Sequence, residues 1–309
     1  MNRQLSLVKD EIKKVIRGKD SVIDMVLCTL ISGGHILLED IPGVGKTTLA
    51  VALSKSMSMS YKRMQFTPDV LPSDIVGFTL YDHKTGEFNF REGSIFTNLF
   101  LADEINRTSP KTQAALLEVM EEKRVSVDGV TRTLDKPFFV IATQNPVGAS
   151  GTQKLPDSQL DRFSVRLSLG YPDHNSATEI LMGKSFENID EVNEVLTTQQ
   201  LLVMQESAEQ IFVKEELYSY IVHLVEKTRG NEYLSLGISP RGSIAILKMA
   251  KAHAFMQDRS YLVPEDIHRV FQSVCNHRLQ LSTKAKASGF TTEDILEEIL
   301  KTVPIPRLS

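Results

Sequence analysis

The sequence predicts an α/β domain with a parallel sheet between helices, followed by an all-α domain. Short apolar runs that end in polar residues predict strands of the first domain. One of these runs is joined to a helix by a glycine turn, as in a βα unit. After Pro172 the spacing is helical and no further glycine-bounded strand appears, which predicts the second. The 309 residues suffice for both. We place the core at 1–172, and a linker with a helical lid at 173–309.

The composition is that of an ordinary globular protein. Hydrophobic residues make up 41% and charged residues 24%, which excludes a disordered chain, a collagen-like chain and a coiled-coil rod. With 35 basic and 39 acidic residues, the net charge of −4 gives no global basic field for nucleic acid or an anionic membrane. Cys28 and Cys275 lie far apart in apolar patterns and are predicted to be buried. No apolar run is long enough to span a membrane, so we expect a cytoplasmic protein.

The elements follow in order along the chain. Two N-terminal helices within 1–33 are separated by Arg17-Gly18. Strands are predicted at 35–39, 95–102, 138–143 and 165–169, helices from about 46 and over 110–123, and a hairpin around Asp128-Gly129 at about 124–134. Lid helices are predicted at about 175–185, 197–207, 214–229, 240–257, 264–280 and 291–302, several with Pro or a capping sequence at the start.

A glycine loop between a strand and a helix is the strongest functional motif. It ends as the pattern G-x-x-x-x-G-K-[ST] requires, but Asp40 replaces the first glycine. Gly43 and Gly45 allow backbone N–H groups to turn around a phosphate, Lys46 adds positive charge, and Thr47 offers a hydroxyl to Mg²⁺. The residues assigned to nucleotide binding here are Pro42, Gly43, Val44, Gly45, Lys46, Thr47 and Thr48.

Two carboxylates end a later apolar strand. Asp103 and Glu104 would lie at the carboxyl edge of the sheet, where α/β proteins place their sites. We assign Asp103 to the Mg²⁺ shell and Glu104 to orienting and deprotonating a water. Without the glycine loop, the same pair would be read as solvated acids at a strand end.

Asn145 and three arginines complete the set of candidates. Asn145 follows the third strand, where it suits either a hydrogen bond to the water or γ-phosphate or an ordinary turn before Pro146. Arg107, Arg162 and Arg241 suit either stabilisation of a phosphoryl-transfer transition state or surface ion pairs.

Five segments together carry a family resemblance: LLEDIPGVGKTTLA, FLADEINRTSPKTQAALLEVMEEKRVSVDG, FFVIATQNP, LPDSQLDRF and GISPRG. In this order, over residues 30–245, they resemble the MoxR family of AAA+ ATPases, in which Asp is common at position 40. The resemblance implies ATP/ADP and Mg²⁺ as ligands, with Lys46 and Thr47 in the Walker A motif and Asp103 and Glu104 in the Walker B motif.

The resemblance also implies roles outside these two motifs. Asn145 matches sensor 1, Arg162 matches an arginine finger that acts on the next subunit, and Arg241 matches sensor 2, which reaches from the lid to the γ-phosphate. Arg17 and Gly18 match the adenine-binding segment, whereas Arg107 has no certain role. Residues 66–92, which include Phe78, Gly86, Phe88 and Phe90, match an insert within the second core helix, and 124–134 match the hairpin before sensor 1. Such inserts remodel partners or only pack on the surface.

The function implied is that of an ATP hydrolase in a ring, expected to be a hexamer, that remodels or matures a client protein complex. A partner with a von Willebrand factor A domain is expected from the family. One alternative is a nucleic-acid motor, disfavoured because the hairpin region mixes Lys123, Arg124 and Arg132 with acidic residues. The other alternative is a low-turnover scaffold, against which the presence of Glu104 argues. The client, the partner requirement, the ring size and the turnover rate stay open.

Overall fold

The computed structural model describes residues 2–145, 154–182 and 189–307. Its strands are β1 (Ile36–Glu39), β2 (Tyr61–Gln65), β3 (Phe78–Asp82), β4 (Glu87–Arg91), β5 (Leu99–Asp103), β6 (Arg124–Val127), β7 (Val130–Thr133), β8 (Phe139–Gln144), β9 (Val165–Leu167), β10 (Leu234–Leu236) and β11 (Gln280–Leu281).

The α-helices are α1 (Arg3–Lys13), α2 (Asp20–Ile31), α3 (Lys46–Ser56), α4 (Pro72–Val76), α5 (Pro110–Glu122), α6 (Asp157–Leu160), α7 (His174–Leu181), α8 (Thr198–Glu209), α9 (Glu215–Arg229), α10 (Pro240–Met256), α11 (Pro264–Cys275), α12 (Thr283–Ala287) and α13 (Thr292–Thr302). Three-residue 3₁₀ turns span Ile105–Arg107, Ile189–Glu191 and Asn276–Arg278.

A five-stranded parallel sheet forms the core, in the order β2-β5-β8-β1-β9. Alternate residues of the three central strands β1, β5 and β8 enter separate apolar clusters. Ile36 and Leu38 pack with α1 to α3 and the lid, whereas Leu37 packs with α5 on the opposite face. The predicted α/β core followed by a helical lid is confirmed. All five strands of this sheet are parallel, so β1, β5 and β8 bring their carboxyl ends to one edge.

The core departs from the prediction at two strands. Strand β2 was not predicted, because YKRMQ has no apolar run and lies at the edge of the sheet. Strand β5 begins at Leu99 rather than 95, because the backbone N–H groups of Ser94 and Ile95 donate to the carbonyls of Asp74 and Ile75. Residues just before β5 are thus used to bind α4.

The 66–92 region holds a short helix and a hairpin. Only Pro72–Val76 is helical there, and β3 pairs with β4 antiparallel. The assignment of 66–92 as an insert within the second core helix stays a prediction. The hairpin predicted at 124–134 is confirmed, with β6 and β7 joined at Asp128-Gly129. The guanidinium of Arg132 lies 3.7 Å from the centre of the Phe90 ring, which joins the two hairpins.

The lid is helical, with a two-stranded sheet of β10 and β11 that was not predicted. The helix predicted at 264–280 ends at Cys275, because His277 and Arg278 turn toward the carbonyls of the segment after α6. The helix predicted at about 175–185 runs from His174 to Leu181, and 183–185 lie outside the described residues. Both cysteines are buried free thiols, as predicted. Among the described helices, none has the length and apolarity needed to cross a bilayer.

Candidate active site

The glycine loop forms a cradle between β1 and α3. Gly43 and Gly45 have φ of 85° and 97°, a left-handed region that favours glycine. Helix α3 begins at Lys46, and its first internal hydrogen bond runs from the N–H of Leu49 to the carbonyl of Gly45. The N–H groups of Lys46, Thr47 and Thr48 therefore lack an intrahelical acceptor, which suits an anion at the helix N-terminus.

Lys46 folds back onto this loop. Its Nζ donates to the carbonyl oxygens of Asp40 at 2.9 Å and Ile41 at 3.0 Å. Burial lowers the pKa of Lys46, against the opposing effect of the nearby carboxylates of Asp40, Asp103 and Glu104. The ammonium is thus held inside the cradle by two neutral acceptors that a phosphate oxygen would replace.

Asp40, the departure from the strict motif, anchors the loop. Its carboxylate accepts hydrogen bonds from Ser168 Oγ at 2.7 Å and from the backbone N–H groups of Leu169 at 2.6 Å and Gly170 at 3.0 Å. Asp40 is 5% exposed. A buried carboxylate with three donors fixes the start of the loop to the segment after β9, which glycine at this position would not do.

Asp103 is oriented by two neighbours. Its Oδ1 accepts from Thr143 Oγ1 at 2.6 Å, and its Oδ2 accepts from Arg63 Nη2 at 2.6 Å. The same Thr143 oxygen accepts the backbone N–H of Glu104 at 2.9 Å. Thr143 therefore fixes both consecutive acids to the neighbouring strand β8.

Glu104 is held at both of its carboxylate oxygens. Its Oε1 accepts from Asn145 Nδ2 at 3.0 Å, and its Oε2 accepts from Arg107 Nη1 at 2.8 Å and Gln65 Nε2 at 3.4 Å. Burial acts to raise the pKa of Glu104, but these hydrogen bonds outweigh it and leave the pKa below its usual value. Glu104 is therefore ionised at neutral pH.

The Arg17-Gly18 segment lies beside the linker that enters the lid. Gly18 has a φ of 69°, and a Cβ there would lie 2.9 Å from Asp173 Oδ2. Lys19 Nζ donates to the carbonyl of Tyr171 at 2.7 Å. Ile16 reaches the loop, because its Cδ1 lies 3.3 Å from a Cβ built at Gly45. The segment assigned to adenine thus lies near the phosphate cradle.

Arg162 and Arg241 meet at one acid, Glu121. Arg162 Nε lies 3.4 Å from Glu121 Oε2, and Arg241 Nη2 pairs with Glu121 Oε1. Glu121 is near the end of α5, where the Met120 carbonyl accepts a 3.1 Å hydrogen bond from His35, just before β1. The two arginines therefore lie toward the amino edge of the sheet, whereas the phosphate loop lies at the carboxyl edge. Strand β1, with four residues, spans roughly 13 Å between the two edges.

This placement bears on both arginine assignments. Arg241 pairs with Glu121 at the amino edge, whereas sensor 2 was expected to reach the γ-phosphate from the lid. The structure thus contains the ion pairs of the alternative interpretation, and the roles of Arg162 and Arg241 on a nucleotide stay predictions. Arg107, whose role was open, contacts Glu104 of its own chain.

The donor set at the carboxyl edge fits Mg²⁺. The hydroxyl of Thr47 and the carboxylate of Asp103 are hard oxygen donors, which Mg²⁺ prefers together with phosphate oxygens and water. Both belong to elements that meet at this edge, since Thr47 is in the first turn of α3 and Asp103 ends β5.

The structure brings together most of the predicted site. Lys46, Asp103, Glu104 and Asn145 converge at one edge, whereas Arg162 and Arg241 do not join them. Pro146, on which the turn interpretation of Asn145 depends, lies outside the described residues. The residues missed were those that orient the acids from neighbouring strands, namely Arg63, Gln65 and Thr143. Only the position of Thr143, two residues before Asn145, offered a signal.

Comparison with known proteins identifies the family. A model described as "ATPase family associated with various cellular activities (AAA)" matches residues 35–165, and one described as "AAA lid domain" matches residues 226–299. The chain is 37% identical over 308 residues to "Chaperone MoxR1" of Mycobacterium tuberculosis (strain ATCC 25618 / H37Rv), with 97% of this chain and 81% of that protein covered. The chain belongs to the MoxR family of AAA+ ATPases.

Two further proteins are similar to this MoxR-family chain over nearly its full length. "Uncharacterized protein YeaC" of Bacillus subtilis (strain 168) is 45% identical over 298 residues, with 96% of this chain and 93% of that protein covered. The crystal structure of a "putative ATPase" from Cytophaga hutchinsonii ATCC 33406 matches with a TM-score of 0.90 at 39% identity, covering 98% of this chain and 95% of that one. The AAA+ fold, with its α/β core and helical lid, is thereby supported at the level of the whole chain.

Proposed function

We propose that this MoxR-family chain hydrolyses ATP to ADP and phosphate, and that the site at the carboxyl edge performs the reaction. The observation that carries the proposal is the 3.0 Å hydrogen bond from Asn145 Nδ2 to Glu104 Oε1, beside the phosphate cradle. It gives Glu104 a fixed direction, as a residue that orients an attacking water needs. Glu104 would take the proton of that water while the bond from the β,γ-bridging oxygen to the γ-phosphorus breaks.

The remaining residues of the site bind and orient the nucleotide. The N–H groups of 43–48 and the ammonium of Lys46 would hold the phosphates, and Arg17-Gly18 would contact the adenine. Thr47 and Asp103 would hold Mg²⁺, which would supply positive charge against the phosphates when bound. The division at residue 172 is part of the proposal, since β9 ends at Leu167 and α7 begins at His174. The cytoplasm, where ATP is available, is the proposed location.

We propose a ring, with a hexamer as its form, because Arg162 and Arg241 lie away from the phosphate loop of their own chain. Arg162 and Arg241 are paired through Glu121 near the amino edge of the sheet. A head-to-tail contact would place this edge against the carboxyl edge of a second copy. Each copy would then supply Arg162, and with it Arg241, to the nucleotide of its neighbour.

The work proposed for the ring is remodelling of a protein complex, as the name of the chaperone relative suggests. The two hairpins support this proposal. Arg132 of the β6–β7 hairpin lies over Phe90 of the β3–β4 hairpin, and Phe88 of the β3–β4 hairpin is 74% exposed. A partner with a von Willebrand factor A domain is part of this proposal. A nucleic-acid motor is less favoured, because Arg124 pairs with Glu122 and Arg132 lies on Phe90, so these cations are engaged within the chain.

The test compares wild type with Glu104→Gln and Lys46→Ala in two assays, steady-state phosphate release and binding of a fluorescent ATP analogue. The proposal expects Glu104→Gln to bind the analogue with near wild-type affinity without turnover, and Lys46→Ala to lose binding. Turnover by Glu104→Gln at the wild-type rate would overturn the assigned chemistry. Absence of turnover by wild type, with binding intact, would favour the low-turnover scaffold.

A further inference from the structure

Arg278 is a buried arginine of the lid with every donor in use. Its side chain is 2% exposed. Nε donates to Asp161 Oδ1 at 2.7 Å, Nη2 donates to the carbonyls of Asp161 at 3.1 Å and Phe163 at 2.7 Å, and Nη1 donates to the carbonyls of Ser164 at 3.1 Å and Val274. A guanidinium has five N–H groups, so no donor remains for a nucleotide.

Four of these five hydrogen bonds hold the segment that carries Arg162. The acceptors are the carboxylate and carbonyl of Asp161 and the carbonyls of Phe163 and Ser164, on both sides of Arg162. His277 Nε2 adds a 2.9 Å contact to the Phe163 carbonyl. The backbone direction at Arg162 is therefore set by the lid as well as by α6, the helix before it.

The same segment is bound to the helix that carries Arg241. Asp161 Oδ2 accepts from Ser239 Oγ at 2.7 Å, and Ser239 caps the start of α10 by accepting the N–H of Gly242 at 3.0 Å. Gly242 lets Arg278 approach α10 closely, since a Cβ there would lie 3.0 Å from Arg278 Cδ. One carboxylate thus bridges Arg278 and the N-terminus of the helix of Arg241.

We propose that Arg278 is a positioning residue, which joins Arg162 to the lid so that Arg162 and Arg241 face the neighbouring subunit as one unit. The inference rests on the proposed function, because it requires Arg162 to act across a subunit contact. Arg278 itself would touch no nucleotide, because all of its donors are in use. Lysine at this position keeps the charge but lacks the planar fork, so it would leave carbonyls of the Arg162 segment unbound.

The test is complementation between two inactive variants. Arg278→Lys is expected to lower the ATPase rate roughly 100-fold, the scale of loss when a reacting group is displaced by about 1 Å. Its own phosphate loop and Glu104 are intact, so binding of a fluorescent ATP analogue should match wild type. Glu104→Gln has no turnover of its own but keeps Arg162 and Arg278. In a 1:1 mixture, half of the subunits retain Glu104, and in random head-to-tail rings half of these have a Glu104→Gln neighbour with an intact Arg278. About a quarter of wild-type activity should therefore return.

The matched control is Arg259→Lys, which alters a second arginine of the lid whose guanidinium binds a buried carboxylate, with the Arg259 side chain 24% exposed. Arg259 pairs with the fully buried Asp266 within the lid and does not contact the Arg162 segment. It is expected to lower thermal stability while leaving the ATPase rate within about twofold of wild type, because it leaves the Arg162 segment unchanged. An equal loss of rate in both lysine variants would show that Arg278 only stabilises the lid, and would overturn the proposal.

A second mixture separates this inference from the proposed function. Arg162→Ala with Glu104→Gln should also regain activity if Arg162 acts on the neighbour. If ATPase activity returns in this mixture but not in the mixture with Arg278→Lys, the positioning role of Arg278 alone is overturned. If activity returns in neither mixture, the action of Arg162 on a neighbouring subunit is overturned. If Arg278→Lys does not fold, Asp161→Asn provides the same test, because it removes the charge of the bridging carboxylate and nearly keeps its shape. About a quarter of wild-type activity is again expected when Asp161→Asn is mixed with Glu104→Gln. If that activity does not return although the Arg162→Ala mixture recovers, the positioning role of Arg278 is overturned.

Discussion

Asn145 donates a 3.0 Å hydrogen bond to the carboxylate of Glu104, across the ends of two neighbouring parallel strands. The hydrogen bond joins a residue at the end of β8 to one at the end of β5. The position of the Glu104 carboxylate therefore depends on both strands. Because Arg107 and Gln65 hold the other oxygen, the direction of Glu104 depends on three separate segments.

Removing the amide of Asn145 should impair turnover more than binding. For Asn145→Ala we expect the ATPase kcat to fall about 10- to 100-fold, because Glu104 loses one of its orienting donors. The dissociation constant for a fluorescent ATP analogue should change by less than about threefold, because the cradle is untouched. Asn193→Ala, an exposed asparagine near the lid, is the control and should be silent. An unchanged kcat for Asn145→Ala would contradict this role.

Asp40 should stabilise both the fold and the loop. In Asp40→Asn the amide would face donors that now bind a carboxylate, so we expect the free energy of unfolding to fall by about 2 kcal/mol. ATP affinity should weaken as well, because the start of the loop is no longer fixed to 168–170. Urea unfolding and analogue binding measure the two effects, with Asp135→Asn, an exposed acid, as control. Stability equal to wild type would show that the three hydrogen bonds contribute little.

His35 should make stability depend on pH. Its Nδ1 accepts the N–H of Val140 at 3.1 Å and its Nε2 donates to the carbonyl of Met120, so the buried ring is neutral. Burial lowers the pKa of His35 to about 4. Between this value and the unfolded value near 6.5, the unfolded chain binds more protons, so stability falls as pH falls. The contribution is fully present above pH 6.5.

The measurement compares urea unfolding of wild type and His35→Asn from pH 7.5 to 5. Asparagine retains an acceptor for Val140 without titrating in this range. The stability of wild type should drop more steeply than that of the variant, by up to about 1.4 kcal/mol per pH unit below pH 6.5. The carboxylates and the remaining histidines are common to both proteins, so we expect them to contribute equally to the pH dependence of both stabilities. Parallel curves would show that His35 is not the titrating group.

The stacking of Arg132 on Phe90 should couple the two hairpins. A double-mutant cycle of Phe90→Ala and Arg132→Ala is expected to give a coupling energy of about 0.5–1 kcal/mol by urea unfolding. Phe88→Ala is a matched control on the same strand, because Phe88 is 74% exposed, and it should change stability little. A coupling near zero would mean that the hairpins are independent.

The sequence predicted the parts of the site whose chemistry is local. The glycine loop and the acids at the end of β5 are visible because adjacent residues carry the pattern. The contacts that orient them come from separate strands, as when Arg63 of the unpredicted β2 binds Asp103. Strand β2 has no apolar run to reveal it, because it lies at the edge of the sheet.

Long-range contacts also explain what was missed in the lid. Arg278 binds Asp161 across 117 positions, and no spacing rule connects the two. The helical periodicity before Cys275 extends into the turn that holds Arg278, so the sequence predicted one longer helix. In the same way, pairing of Arg241 with Glu121 depends on how the lid packs on the core.

We propose that each active site is completed by Arg162 of a neighbouring copy. The most direct test measures ATPase activity per subunit against protein concentration for wild type and Arg162→Ala, with molar mass from light scattering in ATP. Wild-type activity is expected to rise as the ring forms, and Arg162→Ala is expected to bind ATP and assemble but to stay inactive. Wild-type activity that is constant across the range where monomer becomes ring, or an active Arg162→Ala, would contradict it.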